Sequence, residues 1–378
     1  MTAVFVFLES QKLNKSEGGS TMIKAAINKS VGGDNLTASE KEITMLDSLG
    51  GETTPSQVGA FLSAMRRKGE TVDEIAGAAL ALKSKLKPFQ LNNNLINLDR
   101  DDINLEEETI LATSETADKG TSTFNVSSAT IFVVAGGGVK VVRQGNWPKY
   151  GFIGAADVLQ HLGVNLDISR SDVQRCIEEV GIGFLFAPMF HGIMRYVDEI
   201  RAEIGFRTIF NLIGPLANPA GASAHVLGVY DSTLTEKMAK VLKKLGAREA
   251  FVVFGEGTYD EISICGPTQI SHLINDEIVS YQLDPQEYGF KKVTIEALRG
   301  GDAQENSRII NDIVSGSPGP KRDMVVLNAA AAFVAAGLER DIKAGIQRAA
   351  DVIGSGKAKE KLDALIRFTS DCSYFTRN

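Results

Sequence analysis

The sequence predicts an α/β protein, with a small N-terminal helical domain followed by a larger α/β domain built on a mainly parallel central sheet. Three observations point there. Helix-start signals crowd residues 37 to 85. From about residue 108 onward, helical patterns alternate with short β-branched runs, the rhythm of parallel strands joined by crossover helices. And 378 residues at 43% apolar content are enough for a large core and for two domains.

The helical segment is read from its caps. Thr37 precedes Glu40, Thr54 precedes Pro55 and Gln57, and Thr71 precedes Glu74, each the spacing of a reciprocal capping box. Val58, Phe61, Leu62 and Met65 fall on one face, so these short helices pack on one another or on a partner. Residues 1–21 are expected to be a disordered extension, with Met22 opening a better amphipathic pattern and offering an alternative start. The helical domain is expected over 22–88, with Pro88 in KLKPFQLNNN as a crossing point.

The α/β domain is expected over 89–171 and 206–378, with strands at VKVVR (from 139), AHVLGVY (from 224), AFVVFG (from 250) and ISHLI (from 270). The stretch from Asp172 contains two helical patterns, and helices within about 172–205 are expected to complete the helical domain. GSPGPKRD, 316–323, marks a loop before a final helical region.

Charge and cysteine content narrow the function classes. With 40 basic and 47 acidic residues the net charge is −7, so neither nucleic acid nor a membrane surface is an expected partner. Cys176, Cys265 and Cys372 are far apart and odd in number, which argues against a disulfide framework or zinc site and for the cytoplasm. AVFVFL, near the start, is too short for a signal-peptide core or a membrane span.

Four stretches carry chemistry. In FGEGTYDEISICGPT, Asp260 and Glu261 follow a strand and a glycine-containing turn; two hard oxygen ligands there suit Mg2+ escorting a polyphosphate, although a DE pair is also common on surfaces. In TFNVSSAT, Ser127 and Ser128 precede an apolar run, as at a helix start that holds phosphate. Arg207 stands in the apolar stretch RTIFNLIGPLANPAGA, either paired in the core or ready to grip a carboxylate bidentately. In RQGNWPKYGFIGAADVLQHLGVNL, Gly145 and Asn146 follow a strand end, where a backbone can approach a ligand or simply turn.

In combination, RTIFNLIGPLANPAGA, DEIS followed by GPT, GAADVLQHLGVN, GGDAQEN, RDMVVLNAAAAFVAAG and SGKAKEKLDAL resemble the anthranilate phosphoribosyltransferase family over nearly all of residues 22–366. The related pyrimidine nucleoside phosphorylases share the fold and match less well. The resemblance implies transfer of a phosphoribosyl group from phosphoribosyl pyrophosphate to the amine of anthranilate in tryptophan biosynthesis, with Mg2+, by a homodimer formed through the helical domain. Carried over by position, Asp260, Glu261 and Ser127 would hold the metal. Lys119, Gly120, Thr123, Asn125, Ser127, Ser128 and Arg143 would meet the donor, and Arg207, Asn146 and Gly145 the small aromatic acceptor. No catalytic nucleophile is implied, because the aromatic amine is itself one and the protein's part is positioning and charge stabilisation.

Both donor loops depart from the family. Where it has G-T-G-G-D-G, this chain has Glu115, Thr116, Ala117, Asp118, Lys119 and Gly120. Glycine amides that could curl around pyrophosphate are lost, Glu115 adds a like charge, and Lys119 is the expected substitute cation. Where the family has K-H-G-N-R and a serine-rich turn, this chain has Arg143 to Trp147 and then Tyr150 to Ala155 without a serine. Two other readings therefore stand beside the first: a paralogue with a changed donor or aromatic acceptor, and a silent binding protein that keeps the fold.

Overall fold

The computed structural model describes residues 18–91, 109–116, 123–145, 154–186, 194–258 and 260–372. Chain contacts divide into two compact units, Met1–Leu86 with His191–Ala217, and Lys87–Phe190 with Asn218–Asn378.

The first unit is helical. Its helices are α1 (Gly18–Gly32), α2 (Ala38–Gly50), α3 (Pro55–Lys68), α4 (Val72–Ser84), α8 (Arg195–Ile204) and the short α9 (Ile209–Ile213). All three expected capping boxes form: Thr37, Thr54 and Thr71 accept from the amides of Glu40, Gln57 and Glu74, whose side chains reach back to the cap amides. Each helix is thus started by residues three apart, independent of anything distant. Helix α1 packs on α3 and α2 on α4, with α8 against α3 and α9 against α4. Gly77 makes the α2–α4 approach possible, since a Cβ there would lie 2.2 Å from the Ala38 carbonyl oxygen. The helix begins at Gly18, so the extension expected over 1–21 is helical in its last four residues. Residues 1–17 lie outside the described residues.

The second unit holds a seven-stranded sheet in the order β3-β2-β1-β4-β5-β6-β7. Its strands are β1 (Ile110–Glu115), β2 (Lys140–Gly145), β3 (Ile182–Phe186), β4 (Ala224–Gly228), β5 (Glu249–Gly255), β6 (Thr268–Ile274) and β7 (Glu277–Leu283). Strands β1 to β5 are parallel, whereas β6 pairs antiparallel with β5 and β7 antiparallel with β6. Asn275 and Asp276, at φ 50° and 62°, form the two-residue turn between them, the left-handed pair that a tight hairpin needs. ISHLI is therefore one arm of a hairpin that extends the parallel sheet.

Residues 172–205 supply one helix to each unit. Helix α7 (Arg170–Glu179) packs on β3 in the α/β unit, and α8 belongs to the helical one. Between them IGFLF is strand β3 rather than helix, because its apolar residues pair along Val141–Gly145 of β2.

At the centre of the α/β unit lies α5 (Val126–Gly136), whose described residues are buried almost throughout. Helices α12 (Pro320–Ala335) and α14 (Lys357–Cys372) pack on it, and α10 (Leu234–Lys244) packs on β5 and β6. A helix apolar on every side can only be a core element. Among the described residues, no helix is long and apolar enough to cross a membrane.

Candidate functional site

In this strand order β1 is flanked by β2 on one side and β4 on the other, so successive connections leave the centre in opposite directions. A crevice for ligands opens at the carboxyl ends of the strands at such a switch point. Glu115 ends β1 opposite Gly228, which ends β4, and Thr113 of β1 pairs with Arg143 of β2. The candidate site is built from these ends.

The acid pair sits on a loop held down over the ends of β4 and β5. Gly228 leaves room for it: a Cβ there would meet the Asp260 carbonyl oxygen at 1.8 Å, and one at Gly255 would meet that of Glu261 at 2.3 Å. The Asn328 side chain, on α12, accepts from the Ile262 amide at 3.0 Å and donates to the Ile262 carbonyl at 2.8 Å. Ser263 donates to the Glu256 carbonyl at 2.7 Å, and its amide donates to Thr268 Oγ1 at 2.9 Å. Asp260 and Glu261 are 8% and 7% exposed, which removes the solvated-surface reading of the pair. Burial pushes the Glu261 carboxyl well above its ordinary range, helped by the negative charges of Asp260 and Glu115 and opposed by Arg143 and a hydrogen bond with Thr123. Its Oε2 is buried with no hydrogen-bond partner among the described residues.

An orphaned carboxylate oxygen beside a second buried carboxylate is a costly arrangement without a cation. The donor set is oxygen only, which suits Mg2+; two carboxylates are also the usual protein share of a Mg2+ site completed by substrate phosphates. No group of three or more His, Cys, Asp or Glu fit to hold a metal occurs among the described residues. The free Cys176, Cys265 and Cys372 are all buried.

The start of α5 forms the other wall. Phe124 donates its amide to the Leu298 carbonyl at 3.1 Å, and Asn125, at the cap, accepts from Asn306 Nδ2 at 3.0 Å instead of capping the helix. Asn306 also receives the Gly301 amide at 2.9 Å, so the GGDAQEN stretch holds the TFN stretch in place. Ser128 is wholly buried and its hydroxyl has no partner among the described residues.

One contact differs from the sequence reading. Glu115, expected to add a like charge against the donor, is paired: its Oε1 accepts from Arg143 Nη2 at 2.6 Å and from Ser127 Oγ at 2.5 Å. Burial, which would raise its carboxyl, is outweighed by the Arg143 charge and the two hydrogen bonds, and the group is held below its ordinary value. Arg143 and Ser127, expected to face the donor, are thus engaged by a side chain of the protein itself. No local pattern announces this pair, because Glu115 and Arg143 are 28 residues apart and meet only through the β1–β2 pairing.

The expected donor, acceptor and metal residues are distributed as follows. Thr123, Asn125, Ser127, Ser128, Arg143, Gly145, Asp260 and Glu261 belong to the α/β unit, with Gly145 ending β2. Arg207 belongs to the helical unit, half-buried and directly before Thr208, the cap of α9. Asn146, Lys119 and Gly120, together with Trp147 and Tyr150, lie outside the described residues.

Comparison with known proteins fits this architecture. The chain matches the glycosyl transferase family's helical bundle domain over residues 24–85 and its a/b domain over 107–359. It is 47% identical over 350 residues to an anthranilate phosphoribosyltransferase of Geotalea uraniireducens, covering 93% of this chain and 100% of that one. The corresponding protein of Geobacter sulfurreducens is also 47% identical, with the same coverage. Among solved structures, anthranilate phosphoribosyltransferase (TrpD) from Thermus thermophilus superposes with a TM-score of 0.82 at 36% identity, covering 91% of this chain and 99% of that one. The Saccharomyces cerevisiae protein in complex with PRPP and Mg superposes at 0.80 with 26% identity, covering 93% and 98%. Two matched domains and relatives aligned end to end leave one conclusion: the chain belongs to the anthranilate phosphoribosyltransferase family.

Proposed function

We propose that this chain transfers the 5-phosphoribosyl group of phosphoribosyl pyrophosphate (PRPP) to the amine of anthranilate, with Mg2+. The observation that carries it is the buried Asp260–Glu261 pair at the carboxyl edge of the sheet, with a pinned backbone and an oxygen that has no partner among the described residues, beside the helix start at Ser127. In a family whose yeast member has been seen with PRPP and Mg, that pair is the natural seat of the metal. Neither the changed-acceptor reading nor the silent one gains support from the relatives.

In the reaction the anthranilate nitrogen attacks the anomeric carbon, the bond from that carbon to the pyrophosphate oxygen breaks, and the nitrogen then gives up a proton. Bound Mg2+, held by Asp260 and Glu261 with Ser127 nearby, would neutralise charge on the departing pyrophosphate. Thr123, Asn125, Ser127, Ser128 and Arg143 orient the donor at the start of α5. Gly145, Asn146 and Arg207 are assigned to the acceptor, Arg207 through a bidentate grip on its carboxylate. Lys119 and Gly120 are assigned to the donor by position. No residue forms a covalent bond to substrate; the protein supplies orientation and electrostatics.

We also infer a homodimer through the helical unit, on which the large apolar residues Val31, Leu80 and Phe206 stay exposed. A reducing cytoplasm fits three free, buried cysteines.

Calorimetric titration with PRPP, with and without Mg2+, followed by loss of anthranilate fluorescence on mixing, tests the function. Mg2+-dependent saturation with turnover is the expected result. Binding without turnover would transfer the assignment to another acceptor, and no binding would overturn it. Arg207→Lys should weaken anthranilate far more than PRPP.

A further inference from the structure

Glu115 is held in place from both sides. The Thr116 amide donates to the Gly228 carbonyl at 3.0 Å, and Thr116 Oγ1 accepts the Tyr230 amide at 3.1 Å, so the backbone just after Glu115 is tied to the end of β4. From there its carboxylate reaches Arg143 on β2 and Ser127 in the first turn of α5. One oxygen atom, Oε1, takes both hydrogen bonds.

The place it occupies offers more donors than it uses. Arg143 is 5% exposed, and its Nε and Nη1 have no hydrogen-bond partner among the described residues. A guanidinium is a planar fork built to be met on two nitrogens by a carboxylate or phosphate, and among the described residues this one is met on one. Leaving the remaining N–H groups of a buried cation unsatisfied is costly, so Glu115 is an incomplete partner. An anion with more oxygens, at the start of an eleven-residue helix whose first-turn amides favour negative charge, would complete the set.

We infer that Glu115 is a resident counter-anion: Arg143, Ser127 and the start of α5 form an anion seat that a phosphate group occupies only by displacing the Glu115 carboxylate. The identity of that phosphate, one belonging to PRPP, rests on the function proposed above; the displacement itself does not. The seat then holds Arg143 paired in the free protein, and the anion's affinity is reduced by the free energy of removing Glu115. A plain strut, which holds Arg143 in position for the ligand, makes the opposite prediction.

Inorganic pyrophosphate separates the two, titrated calorimetrically into wild type, Glu115→Gln and Glu115→Asp. Glutamine keeps the shape and an acceptor oxygen for Arg143 and Ser127 while removing the charge. Glu115→Gln should bind pyrophosphate at least about tenfold more tightly than wild type, the scale of one charge-assisted hydrogen bond, and Glu115→Asp should stay near wild type. Glu115→Ser removes the charge by another route and must move the same way if the glutamine variant does not fold. Equal or weaker binding by the uncharged variants, or no binding by any of the proteins, overturns the inference. Turnover of PRPP and anthranilate by wild type is scored separately. Turnover without the gain keeps the proposed function and sinks the counter-anion, whereas the gain without turnover does the reverse.

Discussion

Two buried glutamates, one in each unit, show opposite accounts of the same chemical group. Glu74 in the helical unit is fully satisfied: one oxygen accepts the Leu36 amide at 2.8 Å, and the other accepts the Thr71 amide and Lys68 Nζ, both at 2.8 Å. Burial would raise its carboxyl, but those hydrogen bonds and the Lys68 charge prevail and lower it. Glu261 in the α/β unit is nearly as buried, faces two other carboxylates, keeps one oxygen without a partner among the described residues, and is raised. The lesson is that burial alone does not separate a structural charge from a ligand-awaiting one. Hydrogen-bond accounting does: a saturated carboxylate belongs to the fold, and an unsaturated one is held ready for something else.

The comparison breaks most visibly at the unsaturated centre. Asp260→Asn combined with Glu261→Gln should weaken Mg2+-dependent PRPP binding by about 10³-fold with little change in the thermal midpoint, because it removes the mutual repulsion of two buried carboxylates. Calorimetry with and without a chelator reads the first effect, and differential scanning the second. A fall in midpoint with unchanged binding would make this pair structural like Glu74.

At the saturated centre the expected effect is on folding. Glu74→Gln leaves Lys68, whose side chain is 5% exposed, without its countercharge, and should cost about 3–5 kcal/mol by urea unfolding. The sign of the pH dependence follows from the lowered carboxyl. The folded group titrates below its unfolded value of 4.5, so its contribution is complete above about that pH and is lost as pH falls through the folded value. A wild-type protein whose advantage over Glu74→Gln does not shrink on acidification would contradict this account.

Lys41 sharpens the contrast from the opposite sign. It is wholly buried over the Phe61 ring, 4.0 Å from its centroid, and its ammonium has no hydrogen-bond partner among the described residues. Burial brings its value down from 10.5 to about 7, against the pull of Glu74 and Glu70. A depressed lysine costs stability in full below the folded value, and the cost fades as pH rises toward the unfolded one. Lys41→Met should therefore stabilise the protein by about 2 kcal/mol near pH 6, with the gain vanishing by pH 10.5. Unfolding curves at three pH values check it; a gain independent of pH would mean simple repacking.

The smallest effect is expected where polar groups are satisfied in water. Thr54→Ala removes an exposed cap and should cost about 1 kcal/mol, read as a modest shift in urea midpoint with PRPP affinity unchanged. A larger loss would mean that this cap also organises α3 against its neighbours.

What could be read along the chain was whatever is encoded locally. The three capping boxes are contacts between residues three apart, and the strands at β2, β4, β5 and β6 announce themselves as β-branched runs. The DEIS and GPT stretch stood out as a candidate metal loop because adjacent carboxylates after a glycine turn are a local pattern. Strand β3 was concealed between two helical patterns. Strand β7 was concealed because EIVSYQL is an edge strand with mixed exposure and no continuous apolar run.

By itself, then, the sequence determined the helix starts, the α/β rhythm, the family and the position of the acid pair, all of which depend on residue types at short spacing. Only the tertiary structure decided which charges meet. Parallel pairing of β1 with β2 brings Arg143 to Glu115, the connection to α5 brings Ser127 to the same oxygen, and Gly228 and Gly255 admit the backbone of the acid loop. Whether Glu115 is a repelling charge or a paired one depends on contacts across 28 residues, and electrostatic energy depends on distance and burial, which no local pattern contains.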